Sequence, residues 1–261
     1  MVRKALKGAY LGLVLAFLYV PIAVLILFSF NASKSRAQWD GFTLAWYLEL
    51  LRDGEILGAL QVTVTIAVLA AAAATVLGTL GAIGIHSMKS GWRVGALLNM
   101  AYLPMTSPDI VTGVSLMQMF VFLRIPLGFS TMLMAHIAFD TPYVLLSVLP
   151  KLKQMDNNLY EAALDLGCPP MLAIPKVILP EIMPGVFTGA LLAFTMSLDD
   201  FVISFFTTST VSNLSIKIYS MARRGISPKI NALSTLMFTA VLVLLLIINR
   251  RESLGDNAGA A

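Results

Sequence analysis

Apolar residues in this chain fall in long runs separated by short polar stretches. Runs of about twenty apolar residues are long enough to cross a hydrocarbon core. They predict spans at 10–30, 62–85, 129–149, 182–206 and 230–249. Another apolar region, 94–123, is too long for one straight helix, and Pro104 and Pro108 break it. The pattern therefore predicts an all-α polytopic membrane protein with about six transmembrane helices. Pro21 is placed to kink the first. That first run is too long for the core of a signal peptide, and no small-residue cleavage site follows, so it reads as an uncleaved span.

The polar stretches have distinct characters. Residues 31–60 mix charges with Trp39, Phe42, Trp46 and Tyr47, which suits a short helix at the membrane surface. Gly78, Gly81 and Gly84 near the end of the second run allow a neighbouring helix to come close. Ser227 and Pro228 form an N-cap and first-turn pair for the last span, and the tail after Arg251 reads as disordered.

Composition agrees with the pattern. The chain has 261 residues, 58% hydrophobic and 12% charged, against about a quarter charged in a soluble domain. The net charge of +4 is spread over span ends and loops, which excludes a nucleic-acid surface. Arg3, Lys4, Lys7, Lys89, Arg93, Lys151, Lys153, Arg250 and Arg251 favour both termini inside, but the charge bias alone is weak, and the resemblance of the 161–180 loop given below decides the orientation. Lys217, Arg223, Arg224 and Lys229 strain that topology, because they fall in the last external loop. One cysteine, Cys168, can form neither an internal disulfide nor a metal cluster. No phosphate-cradling Gly-rich loop is present, so any ATP that drives this protein is bound by another chain.

Four aspartates in or beside the spans stand out: Asp109, Asp140, Asp199 and Asp200. A charged side chain at the bilayer centre costs about 2.5–3.5 kcal/mol on insertion scales, so such groups face a watery path or a partner. Asp109 follows the helix break at Ser107-Pro108. Asp199 and Asp200 are adjacent, so on a helix they diverge by about 100°; one is expected on the path and the other in a capping or inter-helix bond. His136 and Asp140 share a helical face and could pair with each other. Several carboxylates along one path would favour a cationic cargo, with Phe201, Phe205 and Tyr219 as possible aromatic walls.

The stretch from Glu161 to Pro180, EAALDLGCPPMLAIPKVILP, interrupts the apolar runs. Glu161-Ala162-Ala163 favours helix, Gly167 suits its end, and Pro169-Pro170 suits the first turn of a second helix. The spacing resembles the EAA loop, EAA-x3-G-x9-I-x-L-P, of permease subunits in ATP-driven importers, with Val177 in place of the usual Ile. Ser107-Pro108-Asp109, Ser197-Leu198-Asp199-Asp200 and Lys217-Ile218-Tyr219-Ser220-Met221 resemble the polyamine branch of that family. The pattern departs at Asp140, where that branch carries an uncharged residue, and at Pro169, Pro170 and Pro175.

The resemblance implies a type I ABC importer permease (MetI-like) fold. Residues 1–58 would hold the cytoplasmic tip, first span and external loop. The transmembrane domain would occupy 59–250, with the coupling loop at about 150–180, and a tail would follow at 251–261. It implies spermidine or putrescine as cargo and a bacterial inner-membrane location. The implied partners are a second permease subunit, an ATPase pair and a periplasmic or lipid-anchored solute-binding protein. This chain would carry no cofactor and no catalytic residue; ATP and Mg would sit on the ATPase. Coupling residues would be Glu161, Ala162, Ala163, Asp165, Gly167, Leu179 and Pro180, and path residues Asp109, Asp140, Asp199, Asp200, Phe201 and Tyr219. Permeases for other small solutes are close relatives of this branch. A proton-coupled secondary transporter using Asp109 or His136–Asp140 is the rival from another class, although no internal repeat supports it. A membrane enzyme finds no metal-ligand spacing and no H-E-x-x-H helix.

Overall fold

Prolines and capping side chains decide where the apolar runs break. The computed structural model describes residues 2–34, 38–88, 91–225 and 228–258. Arg36, Lys89 and Ser227 lie outside the described residues. In chain order the helices are α1 (Val2–Ser29), α2 (Ala45–Arg52), α3 (Gly54–Ser87), α4 (Trp92–Thr106), α5 (Asp109–Phe122) and α6 (Phe129–Gln154). After these come α7 (Asn157–Asp165), α8 (Pro170–Ala173), a π-helical turn (Ile174–Ile178), α9 (Leu179–Asp199), α10 (Val202–Thr207), α11 (Leu214–Arg224) and α12 (Pro228–Ala258). Among the described residues, four helical stretches are long and apolar enough to cross a membrane: Tyr10–Ser29, Gly54–Ser87, Phe129–Gln154 and Ile174–Asp199. Asp109–Phe122 and Pro228–Val243 are shorter apolar helices.

Several boundaries differ from the sequence expectation. The third apolar region is two helices, because Pro108 forces Ser107 into extended backbone (ψ 143°) and ends α4 there. The second span begins at Gly54 rather than near 62, because the Asp53 carboxylate accepts the Glu55 and Ile56 amides at 3.1 and 3.2 Å and starts the helix early. The fifth span stops at Asp199 instead of running to 206. The tail is helical as far as Ala258.

The chain divides into two units, Met1–Leu57 with Ile218–Ala261, and Gly58–Lys217. In the first, α12 packs against α1 and α2. The turn after α1 closes on Asn31. Its side-chain amide donates to Gln38 O at 2.7 Å, its Oδ1 accepts the Asp40 amide at 3.0 Å, and its carbonyl accepts the indole N–H of Trp46 at 2.8 Å. The ring of Phe30 stacks on Phe42 with centroids 5.3 Å apart. Trp46 is therefore buried on the inner face of α2 rather than laid out as an anchor. Lys229 pairs with the remaining oxygen of Asp53, which neutralises one of the four basic residues that strained the topology.

In the second unit α6 is the central helix, with α3, α4, α9 and α10 against it. Its core joins Ala74 and Ala82 of α3, Val144 and Val148 of α6, and Ile182 and Ala193 of α9. The crossings are close enough to need glycine. A Cβ on Gly78 would lie 2.7 Å from Val144 Cβ and 2.9 Å from the backbone of Leu145. One on Gly189 would lie 3.0 Å from Val144 Cα. A smaller cluster of Phe120, Ala135, Phe139 and Ile203 joins α5, α6 and α10.

Gly78→Val should destabilise the second unit by about 1–3 kcal/mol through overpacking, read as a lower unfolding midpoint in detergent. The Asp53–Lys229 pair predicts a pH dependence. The Lys229 hydrogen bond, helped by the Ile56 and Glu55 amides, holds the Asp53 carboxyl below its ordinary value. Its contribution is complete above the unfolded-state pKa of about 3.9 and is lost as pH falls through the lowered folded value. Lys229→Met should therefore lower the midpoint at neutral pH by the worth of one such pair, about 0–1 kcal/mol. The difference from wild type should vanish in strong acid.

Candidate functional site

The polar loop folds as a helix, a tight stop and a second helix. Asp156 caps α7 by accepting the Asn158 amide at 2.9 Å. At the other end the Cys168 amide reaches Ala163 O at 3.0 Å and the Gly167 amide reaches Leu164 O at 2.9 Å. This paired closure requires a left-handed residue between helix and exit, and Gly167 supplies it at φ +82°. Pro170 then occupies the first position of α8. The second helix does not end with the loop. Pro180 has no amide to give the Lys176 carbonyl, and its ring would crowd that carbonyl in a regular α-turn. The backbone instead widens to a π-turn, with the Leu179 amide on Ile174 O, and α8 runs through it into α9.

Glu161, Ala162 and Asp165 are exposed on α7, and Leu166 beyond them is 89% exposed. Glu161 also lines a cavity of about 380 Å³ between the ends of α3 and α6, α7 and the π-turn. Its other walls include His86, Leu152, Tyr160 and Ile178. Leu179 and Pro180 form the first turn of α9.

The expected path carboxylates do not share one environment. Asp109 is exposed in the first turn of α5, where the helix dipole favours a negative charge. Gly113, one turn further on, packs against Val202 and Ile203 of α10. Asp199 is exposed at the last position of α9. Asp200 is not on that helix. Its backbone is extended at ψ 126°, and its carboxylate accepts the Ile203 and Ser204 amides at 3.1 and 2.7 Å, which starts α10. The adjacent pair is thus split by a helix break, with Asp200 in the capping role. The Phe201 and Phe205 rings meet beside it at a tilt of 39°, with centroids 5.3 Å apart. Tyr219 lies on α11 in the other unit, with the Arg223 guanidinium 5.9 Å from its ring centre.

Asp140, expected on the path, lies in the interior of this chain. It is completely buried, because its helix is the central one. Nor does it pair with His136 directly. Ser197 stands between them, 2.6 Å from Asp140 Oδ2 and 2.9 Å from His136 Nδ1. The other ring nitrogen lies 2.9 Å from Ser204 Oγ and 3.5 Å from Asp200 Oδ2. Asn213 completes the chain by donating to Ser204 Oγ at 2.8 Å and to the Asp200 carbonyl at 3.0 Å. Ser204 and Asn213 had no role in the sequence reading. Their signal was present as polar residues at helical spacing from Asp200 and just beyond it, but which helices meet there was not.

Residues 74–250 match the profile of the binding-protein-dependent transport system inner membrane component family. The chain belongs to that family. It is 39% identical over 260 residues, 98% of each chain, to the spermidine/putrescine transport system permease protein PotC of Escherichia coli (strain K12). The putrescine transport system permease protein PotI of the same strain is 38% identical, over 92% of this chain and 88% of its own. In structure the chain is similar to a bacterial ABC transporter involved in import of the acidic polysaccharide alginate. The TM-score is 0.76 at 12% identity, covering 95% of this chain and 96% of that one. An amino acid ABC transporter matches at TM-score 0.56. These two likenesses show that the fold is that of ABC importer permeases. In this inner-membrane component the polar loop and the broken α9–α10 joint lie at opposite ends of one helix, α9.

Gly167→Val should strain the left-handed position by about 1–2 kcal/mol. Limited proteolysis should then cut faster between Leu166 and Pro169 while the spans stay protected.

Proposed function

We propose that this chain is the permease subunit of an ATP-driven importer that carries spermidine or putrescine across a bacterial inner membrane. The observation that carries this reading is the 39% identity to a spermidine/putrescine permease across 98% of both chains. Asp140 is buried in this chain, so the reading of the path is built on the other carboxylates. The path is proposed to use Asp109, Asp199 and Asp200 with Phe201, as weak, passing contacts for a polyamine cation.

The partners are proposed to be a second permease subunit, an ATPase pair that binds ATP and Mg, and a solute-binding protein outside. Both termini are placed in the cytoplasm, with the α7–α8 loop on the ATPase. Glu161, Ala162, Ala163 and Asp165 would face the ATPase, and exposed Leu166 would give the contact an apolar centre. Gly167 sets the angle between the two helices. Leu179 and Pro180 join the loop to the span. The ATPase pair closes on ATP, and the loop passes the displacement into α9. A helix of 21 residues spans about 30 Å, so α9 can carry a shift at the loop to Asp199 and the Asp200 cap.

The test is uptake and ATP hydrolysis by the reconstituted complex with its binding protein. Spermidine or putrescine should stimulate hydrolysis. Glu161→Ala should cut that stimulation about tenfold, the worth of one hydrogen bond to a charged group. Asp109→Asn should reduce uptake while leaving basal hydrolysis intact. Uptake without any ATPase subunit would instead establish secondary transport. Stimulation by a different solute alone would move the cargo and leave the importer standing.

A further inference from the structure

Asp140, Ser197, His136, Ser204 and Asn213 form one continuous buried chain of hydrogen bonds, and its ends fix its direction. Asp140, His136, Ser197, Ser204 and Asn213 are each at most 2% exposed. Asp140 Oδ1 has no partner, although its Oδ2 lies 2.6 Å from Ser197 Oγ. A fully buried carboxylate ion with one oxygen unmet is costly, whereas the carbonyl oxygen of an uncharged carboxyl is far less so.

The other end agrees. His136 Nε2 faces Ser204 Oγ at 2.9 Å and the Asp200 carboxylate at 3.5 Å. A lone pair on Nε2 would point at a negative charge; an N–H there would be attracted by it. An N–H on Nε2 of a neutral ring leaves Nδ1 as an acceptor. Nδ1 can then take the Ser197 hydroxyl proton, and Ser197 in turn accepts from Asp140. Ser204 then accepts from both His136 and Asn213.

We infer that Asp140 is a protonated hydrogen-bond donor and, with His136, a positioning residue for the α9–α10 joint. The donor chain runs from Asp140 Oδ2–H through Ser197 to His136 Nδ1, and from His136 Nε2–H to Ser204 and Asp200. It ties the central helix α6 to both sides of the break, with Ser197 on α9 and Ser204 on α10. The cap that Asp200 forms, and the exit of Asp199 toward solvent, are held from behind by an uncharged network. The inference rests on the importer reading only for its transport readout.

The test combines infrared spectroscopy of the purified complex at neutral pH with spermidine uptake by the same complex in vesicles. The wild type should show the C=O stretch of a protonated buried carboxyl, and Asp140→Asn should lack it. Asp140→Asn offers an amide N–H to Ser197 in the same place, so its uptake should stay within about twofold of wild type. Asp140→Leu has no donor, and uptake should fall about tenfold, the scale of one buried hydrogen-bond group left unmet. A missing band in the wild type overturns the inference. So does Asp140→Asn as impaired as Asp140→Leu, since that makes the charge, not the donor, the working feature. If Asp140→Leu does not fold, the band and the Asn variant decide. A wild-type complex that takes up no polyamine would remove the cargo reading, and the band would still decide the protonation of Asp140.

Discussion

A helix that breaks inside a membrane has no water to satisfy the backbone groups it releases. Much of this structure answers that constraint. At the α4–α5 break the hydroxyl of Ser107 folds back on Leu103 O at 2.8 Å, and the Pro108 carbonyl takes the Val111 amide at 2.9 Å. At the start of α6 Thr131 accepts the Gly128 amide at 2.8 Å and donates to Thr207 O at 2.8 Å. At the α9–α10 break Asp200 takes two amides, while Asn213 and Ser215 reach the Asp200 and Asp199 carbonyls at 3.0 and 3.2 Å. Each interruption of an apolar run carries its own polar closure, so the breaks are defined joints rather than loose hinges.

Those joints need a firm frame, which the glycines of α3 and α9 supply. Lipid tails are as apolar as leucine, so helices associate in a bilayer by close fit and polar contact rather than by escape from water. Gly78 and Gly189 both bring a neighbouring helix within reach of Val144 on α6. Gly185 does the same one turn away, where a Cβ would lie 2.9 Å from Ser147 O. The central helix is gripped from two sides by backbone-scale contacts. The buried chain through His136 and Asp140 starts from the same helix, two turns and one turn before that grip.

Function follows from what α9 connects. Its beginning is continuous with the exposed loop through a π-turn that Pro180 imposes, and its end is the joint that displays Asp199. A π-turn holds one residue more per closed ring than an α-turn, so it can absorb a small twist without losing the helix. Pro175 lies within the wide turn, and Pro180 and Pro184 follow in the first turns of α9, which stiffens that entry. Loop and span are therefore joined by continuous helix.

The sequence alone determined the class. Apolar runs of membrane length, broken by prolines, require helical spans, and the spacing of Glu161, Gly167 and Pro180 marked the loop and its family. Gly167 was legible as a helix stop because local backbone geometry decides it. Residue contacts across helices were not legible. That Asp200 caps α10 while Asp199 ends α9 depends on amides brought round by a turn. That Asp140 reaches His136 only through Ser197 depends on how α9 crosses α6, which periodicity cannot supply. Charge in an apolar run told that Asp140 needed a partner. Only the tertiary structure decided which one, because hydrogen bonds between helices are set by rotation and register of the packed pair, and those are fixed by the glycine contacts of the whole bundle.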